Sequence, residues 1–68
     1  MNQLKRARVA AEMTQEELSA VAGVSRVTIA RIEGGRAASV NTLRRLARAL
    51  GCQMEQLLNS EEATHETD

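Results

Sequence analysis

The chain contains no phenylalanine, tyrosine or tryptophan, and only one cysteine and one histidine in 68 residues. Without aromatic rings, the core has to be assembled from Leu, Ile, Val, Ala and Met. A chain of this size buries only about 60% of its unfolded surface, so marginal stability is expected, and dimerisation would help. The lone Cys52 excludes an internal disulfide and cannot anchor zinc by itself. Its expected role is that of a small, buried hydrophobic side chain. His65, the only histidine, is remote in sequence from Cys52, so no thiol–imidazole pair is suggested. There is no glycine-rich phosphate loop, no metal-ligand cluster and no pair of carboxylates on a rigid element. Glu16 and Glu17 stand at a helix start, where acids offset the dipole. The expectation is a protein that is not an enzyme and holds no cofactor and no metal. No apolar run approaches membrane-spanning length. The basic N-terminus, Met-Asn-Gln-Leu-Lys-Arg-Ala-Arg, has no apolar stretch behind it, as a targeting segment would. A cytoplasmic protein is expected.

Charge is balanced overall but not along the chain. All nine Lys and Arg lie in residues 1–58, with only five acids, Glu12, Glu16, Glu17, Glu33 and Glu55, so that segment carries +4. Residues 59–68, Asn-Ser-Glu-Glu-Ala-Thr-His-Glu-Thr-Asp, carry −4 and have no apolar pattern. The expected organisation is one basic domain over residues 1–58 and an acidic, disordered tail over 59–68. A basic body suits a polyanionic partner. A solvated surface beside a frayed end would carry the same charges.

The apolar spacing is helical throughout, with no strand pattern and no repeat. A first helix is expected over residues 3–12, with Leu4, Ala7 and Ala11 on one stripe. Thr14 and Glu17 form a capping box at the start of a second helix, with Met13 and Leu18 at the two staple positions. That helix should run to about Ala22, with Leu18, Val21 and Ala22 inward, and stop at a left-handed Gly23. Ser25 caps a third helix, Val24 and Ile29 repeat the staple, Ile29 and Ile32 face the core, and Gly34-Gly35 ends it. Ser39 or Asn41 caps a fourth helix carrying Val40, Leu43, Leu46, Ala47 and Leu50, which Gly51 stops. A short fifth helix over about 54–58 carries Met54, Leu57 and Leu58. The fold class is therefore all-α, with five helices.

The third helix has an outward face that suits a DNA groove better than water. At about 100° per residue, the side opposite Ile29 carries Val27 and Arg31 one turn apart, flanked by Ala30 and Thr28, with Arg26 near the N-terminal end. Val27 and Ala30 can touch thymine methyl groups, and Arg31 can reach O6 and N7 of guanine with its two-pronged guanidinium. Thr28 and Ser25 offer short hydroxyls suited to phosphates. Single exposed valines are commonplace, so the face gains its meaning from its setting. Two capped helices joined by a tight glycine turn form a helix-turn-helix unit, whose second helix reads the major groove.

The set Thr14-Gln15-x-Glu17-Leu18, Gly23-Val24-Ser25, Ile29-x-x-Ile32-Glu33-x-Gly35, Leu46-Ala47-x-Ala49-Leu50-Gly51 and Leu57-Leu58 resembles the Cro and phage-repressor helix-turn-helix family, also called the xenobiotic-response-element family. The resemblance spans residues 4–58. It implies a five-helix, lambda-repressor-like domain with its helix-turn-helix at helices 2 and 3. It further implies a sequence-specific transcriptional regulator of double-stranded DNA, expected to be a repressor that binds a near-palindromic operator as a homodimer. On this resemblance, Arg26, Val27, Ala30 and Arg31 occupy base-reading positions. Gln15 bonds a phosphate and braces the recognition helix. Thr28, Gly35, Arg36, Asn41 and Arg44 lie where the family meets the DNA backbone. Arg8 and Glu33 match an ion pair beneath the DNA surface, and Gln53, Gln56 and Leu58 lie where dimer contacts form. Two positions depart from the pattern: Glu12 replaces a frequent Gly at the end of helix 1, which implies a different shape there, and Ala38 replaces a frequent Pro before helix 4. Two other functions fit the same residues. One is an antitoxin that masks a protein partner as well as binding DNA; the other is a helical adaptor that keeps the fold without DNA. A protein partner, toxin or antirepressor, therefore stays open, whereas a membrane is not expected.

Overall fold

In the computed structural model of the chain, residues 2–58 are described, and each α-helix starts on a side-chain oxygen that accepts a backbone N–H. Asn2 caps α1 (Gln3–Ala10) through Lys5 N–H, Thr14 caps α2 (Gln15–Ala22) through Glu17 N–H, and Ser25 caps α3 (Arg26–Glu33) through Thr28 N–H. Ser39, not Asn41, caps α4 (Val40–Leu50), through Thr42 N–H. Each such cap contributes about 1 kcal/mol. At Thr14 the box is complete, because the Glu17 carboxylate accepts from Thr14 N–H at 2.8 Å.

The expected fifth helix is a single 3-10 turn, η1 (Met54–Leu57), so the described residues hold four α-helices and not five. Its bonds run from Gln56 N–H to Gln53 C=O and from Leu58 N–H to Glu55 C=O. Four residues suit this tighter ladder, which is common in short pieces. The acidic residues 59–68, expected to be a disordered tail, lie outside the described residues.

The five elements close a ring: α1 packs on α3, α3 on α2, α2 on α4, α4 on η1, and η1 back on α1. The five largest fully buried side chains, Leu4, Leu18, Ile29, Leu46 and Leu57, come one from each element. Val24, Ile32, Leu43 and Ala47 complete the buried core, with Met13, Met54, Cys52 and Leu58 partly buried against it. Among the described residues no polar or charged residue is fully buried. The core is therefore a closed aliphatic ring, and removing any one element would expose a side chain from each neighbour.

Three apolar positions differ from the periodic reading. Val21 is 62% exposed, not inward. The buried line of α2 runs through Leu18 and Ala22 on the side where Gln15 and Ser19 are also half-buried, and Val21 falls off it. Val40, at 47% exposed, starts α4 and overhangs the core. Ala11 is exposed because α1 ends at Ala10.

The end of α1 keeps the shape that its glycine-free sequence put in question. Glu12 takes φ 58°, in the left-handed region. Glu12 N–H donates to Val9 C=O at 2.9 Å, and Met13 N–H to Arg8 C=O at 3.1 Å. This is the paired closure of a Schellman motif, accepted here by a residue with a Cβ. Left-handed backbone costs a non-glycine residue about 1–2 kcal/mol.

Glu12→Gly should therefore raise stability by about 1 kcal/mol, read as a higher midpoint in urea with an unchanged slope. An unchanged or lower midpoint would show that the Glu12 conformation is not strained.

Candidate nucleic-acid interface

The turn between α2 and α3 fixes how the third helix is presented. Gly23 takes φ 71°, and its N–H closes on Ser19 C=O at 3.0 Å. Any side chain there would be strained. Val24, next in the chain, is buried and pins the turn to the core. Arg45 Nη1 donates to Gly23 C=O at 3.3 Å, holding the turn from α4.

On α3, Ile29 and Ile32 are buried and Arg26, Val27, Ala30 and Arg31 are exposed, with Val27 52% exposed. These four side chains occupy one outward face. Thr28 is half-buried at its edge. The Ser25 hydroxyl accepts from Thr28 N–H at 3.1 Å and donates to Thr28 Oγ1 at 3.2 Å. Its proton is thus used within the cap, leaving the Thr28 hydroxyl proton as the available donor. Among the described residues, Arg26, Arg31, Arg36 and Arg44 form no ion pair or side-chain hydrogen bond, and all four are exposed.

Beneath this face, the Glu33 carboxylate gathers three helices. Arg8 Nε donates to Glu33 Oε2 at 2.6 Å and Arg8 Nη2 to Oε1 at 3.1 Å. Gln15 Nε2 donates to the same Oε1 at 3.0 Å. Arg8 Nη1 reaches Met13 C=O at 2.8 Å, tying in the α1–α2 connection. The Arg8 and Glu33 side chains are only 12% and 5% exposed. Asn2 Nδ2 donates to Ile32 C=O, so α1 grips the last turn of α3 at a second point. Burial pushes the Glu33 carboxyl up, but hydrogen bonds from Arg8 and Gln15 and the charges of Arg8 and Lys5 outweigh it. The group ends below its ordinary range. Its hydrogen bond in turn raises the Arg8 guanidinium, against the desolvation that lowers it. Gln15 commits one amide proton to this brace; an amide nitrogen carries two.

The remaining expected contacts divide by what their atoms are doing. Gly35, Arg36, Asn41 and Arg44 are all exposed. The Gly35 N–H is spent on Ile32 C=O and the Arg36 N–H on Arg31 C=O, so Gly35 supplies shape and not a donor. Asn41 sits in the first turn of α4, where leading N–H groups without helical partners favour an anion. At the expected dimer positions, Gln53 and Gln56 are exposed and Leu58 is half-buried against its own core. Gln56 Oε1 accepts from Gln53 N–H at 2.9 Å. Cys52 is half-buried, and burial raises its thiol. Two contributors had no clear signal in the sequence. Asn2 is a cap-type residue before a helix start, but its reach to Ile32 joins elements 30 residues apart. Arg45 looks like any solvated arginine until α4 is laid beside the turn. Among the described residues, no group of three or more His, Cys, Asp or Glu could hold a metal, and no helix is long and apolar enough to cross a membrane.

A carboxylate whose folded pKa is lowered stabilises the fold above its unfolded value and loses that contribution as pH falls through the folded value. For Glu33, that loss comes below the ordinary 4.5. Glu33→Gln should cost about 2 kcal/mol at pH 7, and its stability should decline less on acidification than that of the wild type. Urea melts from pH 7 to pH 3 test this; parallel declines would show that Glu33 carries no linked stability.

A family model described as helix-turn-helix matches residues 4–57. No curated protein and no solved structure gives a match. The matched span takes in the α2–turn–α3 unit, the Glu33 anchor and all five elements of the ring from Leu4 to Leu57. The chain belongs to the helix-turn-helix family of Cro and phage-repressor type, whose members are DNA-binding transcription regulators.

Proposed function

We propose that this protein is a sequence-specific repressor that inserts α3 into the major groove of an operator. The observation that carries the reading is the outward face of α3: Val27 and Ala30 lie exposed between Arg26 and Arg31, neither of which has a partner among the described residues. Exposed apolar groups cost little in a groove that offers thymine methyls, and a guanidinium without a partner is free for a guanine edge. Arg31 reads guanine, Val27 and Ala30 read methyl groups, and Arg26 reads near the helix N-terminus. Thr28, Gln15, Arg36, Asn41 and Arg44 hold phosphates, which set position without conveying sequence. The Glu33 brace supports this division, since it fixes the angle of α3 from beneath.

One such module contacts few base pairs. A homodimer through Gln53, Gln56 and Leu58 reads a near-palindrome with half-site centres about 34 Å apart. By occupying the site, the dimer excludes other proteins from it, acting by binding and not by catalysis. Residues 1–58 form the DNA-binding domain, and the protein works in the cytoplasm, on the nucleoid when bound.

Selection from random duplex DNA at about physiological salt tests the whole reading, because affinity falls steeply with salt. A two-fold-related consensus is expected. Recovery of no consensus from a folded, monodisperse protein would defeat it. Arg31→Ala should cost about 1–3 kcal/mol and relax preference at one base pair, whereas uniform weakening would make Arg31 a phosphate contact. Gln15→Ala should weaken binding with the same preferred sequence, and an altered consensus would contradict its role.

A further inference from the structure

The outer face of α4 is a cationic surface that the DNA-reading proposal does not fully use. Arg44, Arg45 and Arg48 are exposed, and α4 contains no acidic residue. Arg45 and Arg48 rim an open groove of about 400 Å³ between α2 and α4, whose other lining residues are Val21, Ala22 and Ala49. Arg45 spends one hydrogen on Gly23 C=O at 3.3 Å, and Arg48 has no side-chain partner among the described residues. The chain itself supplies the complementary charge: residues 59–68 include Glu61, Glu62, Glu66 and Asp68 and no Lys or Arg.

Position and length favour this segment over any other acid. Residue 59 follows Leu58, which packs against the core at the end of η1, and η1 packs on α4. Ten residues span at most about 33 Å when extended, against a described body of 33 × 20 × 20 Å. A coil of ten residues averages about 17 Å end to end, and groups tethered at such a length meet at an effective concentration in the millimolar range. Contact has to be close, because exposed charges farther apart than about 8 Å are screened at physiological salt.

We propose that residues 59–68 dock in cis on Arg45 and Arg48, lie over Arg44, and compete there with DNA phosphates. The docked segment weakens contact with arbitrary DNA and yields where an operator adds base contacts. The competition rests on the DNA-binding reading, but the docking does not.

The test compares the full chain with Glu61→Gln/Glu62→Gln/Glu66→Gln/Asp68→Asn, each with and without Arg45→Gln/Arg48→Gln. Binding to a random-sequence 20-base-pair duplex is followed by anisotropy at 50 and 300 mM salt. Neutralising the acids should tighten binding about threefold to tenfold at 50 mM salt, with little difference at 300 mM. In the Arg45→Gln/Arg48→Gln background that gain should largely vanish. An equal gain in both backgrounds would overturn docking in favour of diffuse repulsion, and no gain would overturn the competition. An effect that grows with protein concentration would replace docking in cis by docking on a second copy. The Nε–Hε NMR signals of Arg45 and Arg48 give a readout without DNA. They should move on neutralisation at low salt and not at 500 mM; signals that do not move overturn the docking. If no variant binds any duplex, the DNA-binding reading fails, while the arginine signals still decide the docking.

Discussion

The Glu33 carboxylate is the point on which the presentation of α3 depends. It accepts from Arg8 on α1 and Gln15 on α2, while the backbone that carries it belongs to α3. A bidentate arginine–carboxylate pair fixes direction as well as distance. At 12% and 5% side-chain exposure, this pair is shielded from much of the screening that weakens surface ion pairs. The same Arg8 reaches the Met13 carbonyl, so the connection into α2 is located by the side chain that locates α3. One charged group, placed where burial would otherwise make it costly, is compensated by donors from both neighbouring helices.

The remaining constraints are weak singly and consistent together. Each α-helix is eight to eleven residues long, too short to persist alone in water. Side-chain caps start them, left-handed residues stop them, and a closed ring of aliphatic contacts gives each element a partner on two sides. With no aromatic ring to fill the centre, five side chains, one per element, carry the burial. This arrangement leaves the outward side of α3, with Val27, Ala30 and Arg31, exposed and free of structural duty in the core.

Local features were legible because their physics is local. The hydroxyl of a cap bonds an N–H three residues on, so Thr14 and Ser25 announce their helices without knowledge of the fold. Apolar spacing likewise identified Leu18, Ile29, Ile32, Leu43 and Leu46. It failed at Val21 and Val40, because a stripe has a width and only the neighbouring helices decide which edge they cover. It also named an α-helix over residues 54–58, where four residues close only a 3-10 turn. Glu12 marked the opposite limit. Its chemistry argued for a different helix end, yet the connection to Met13, whose carbonyl Arg8 holds, uses the left-handed turn.

By itself the sequence determined the helical class, four helix starts or their near alternatives, most of the core and the two-sided character of α3, because each follows from spacing and short-range bonds. Tertiary structure alone decided that Asn2 grips Ile32, that Arg45 holds the Gly23 turn, and that Val21, Arg45 and Arg48 face a shared groove. Those contacts join residues 22 to 30 positions apart or set whole helices side by side. Such pairings depend on where the chain returns in space, which no local spacing encodes.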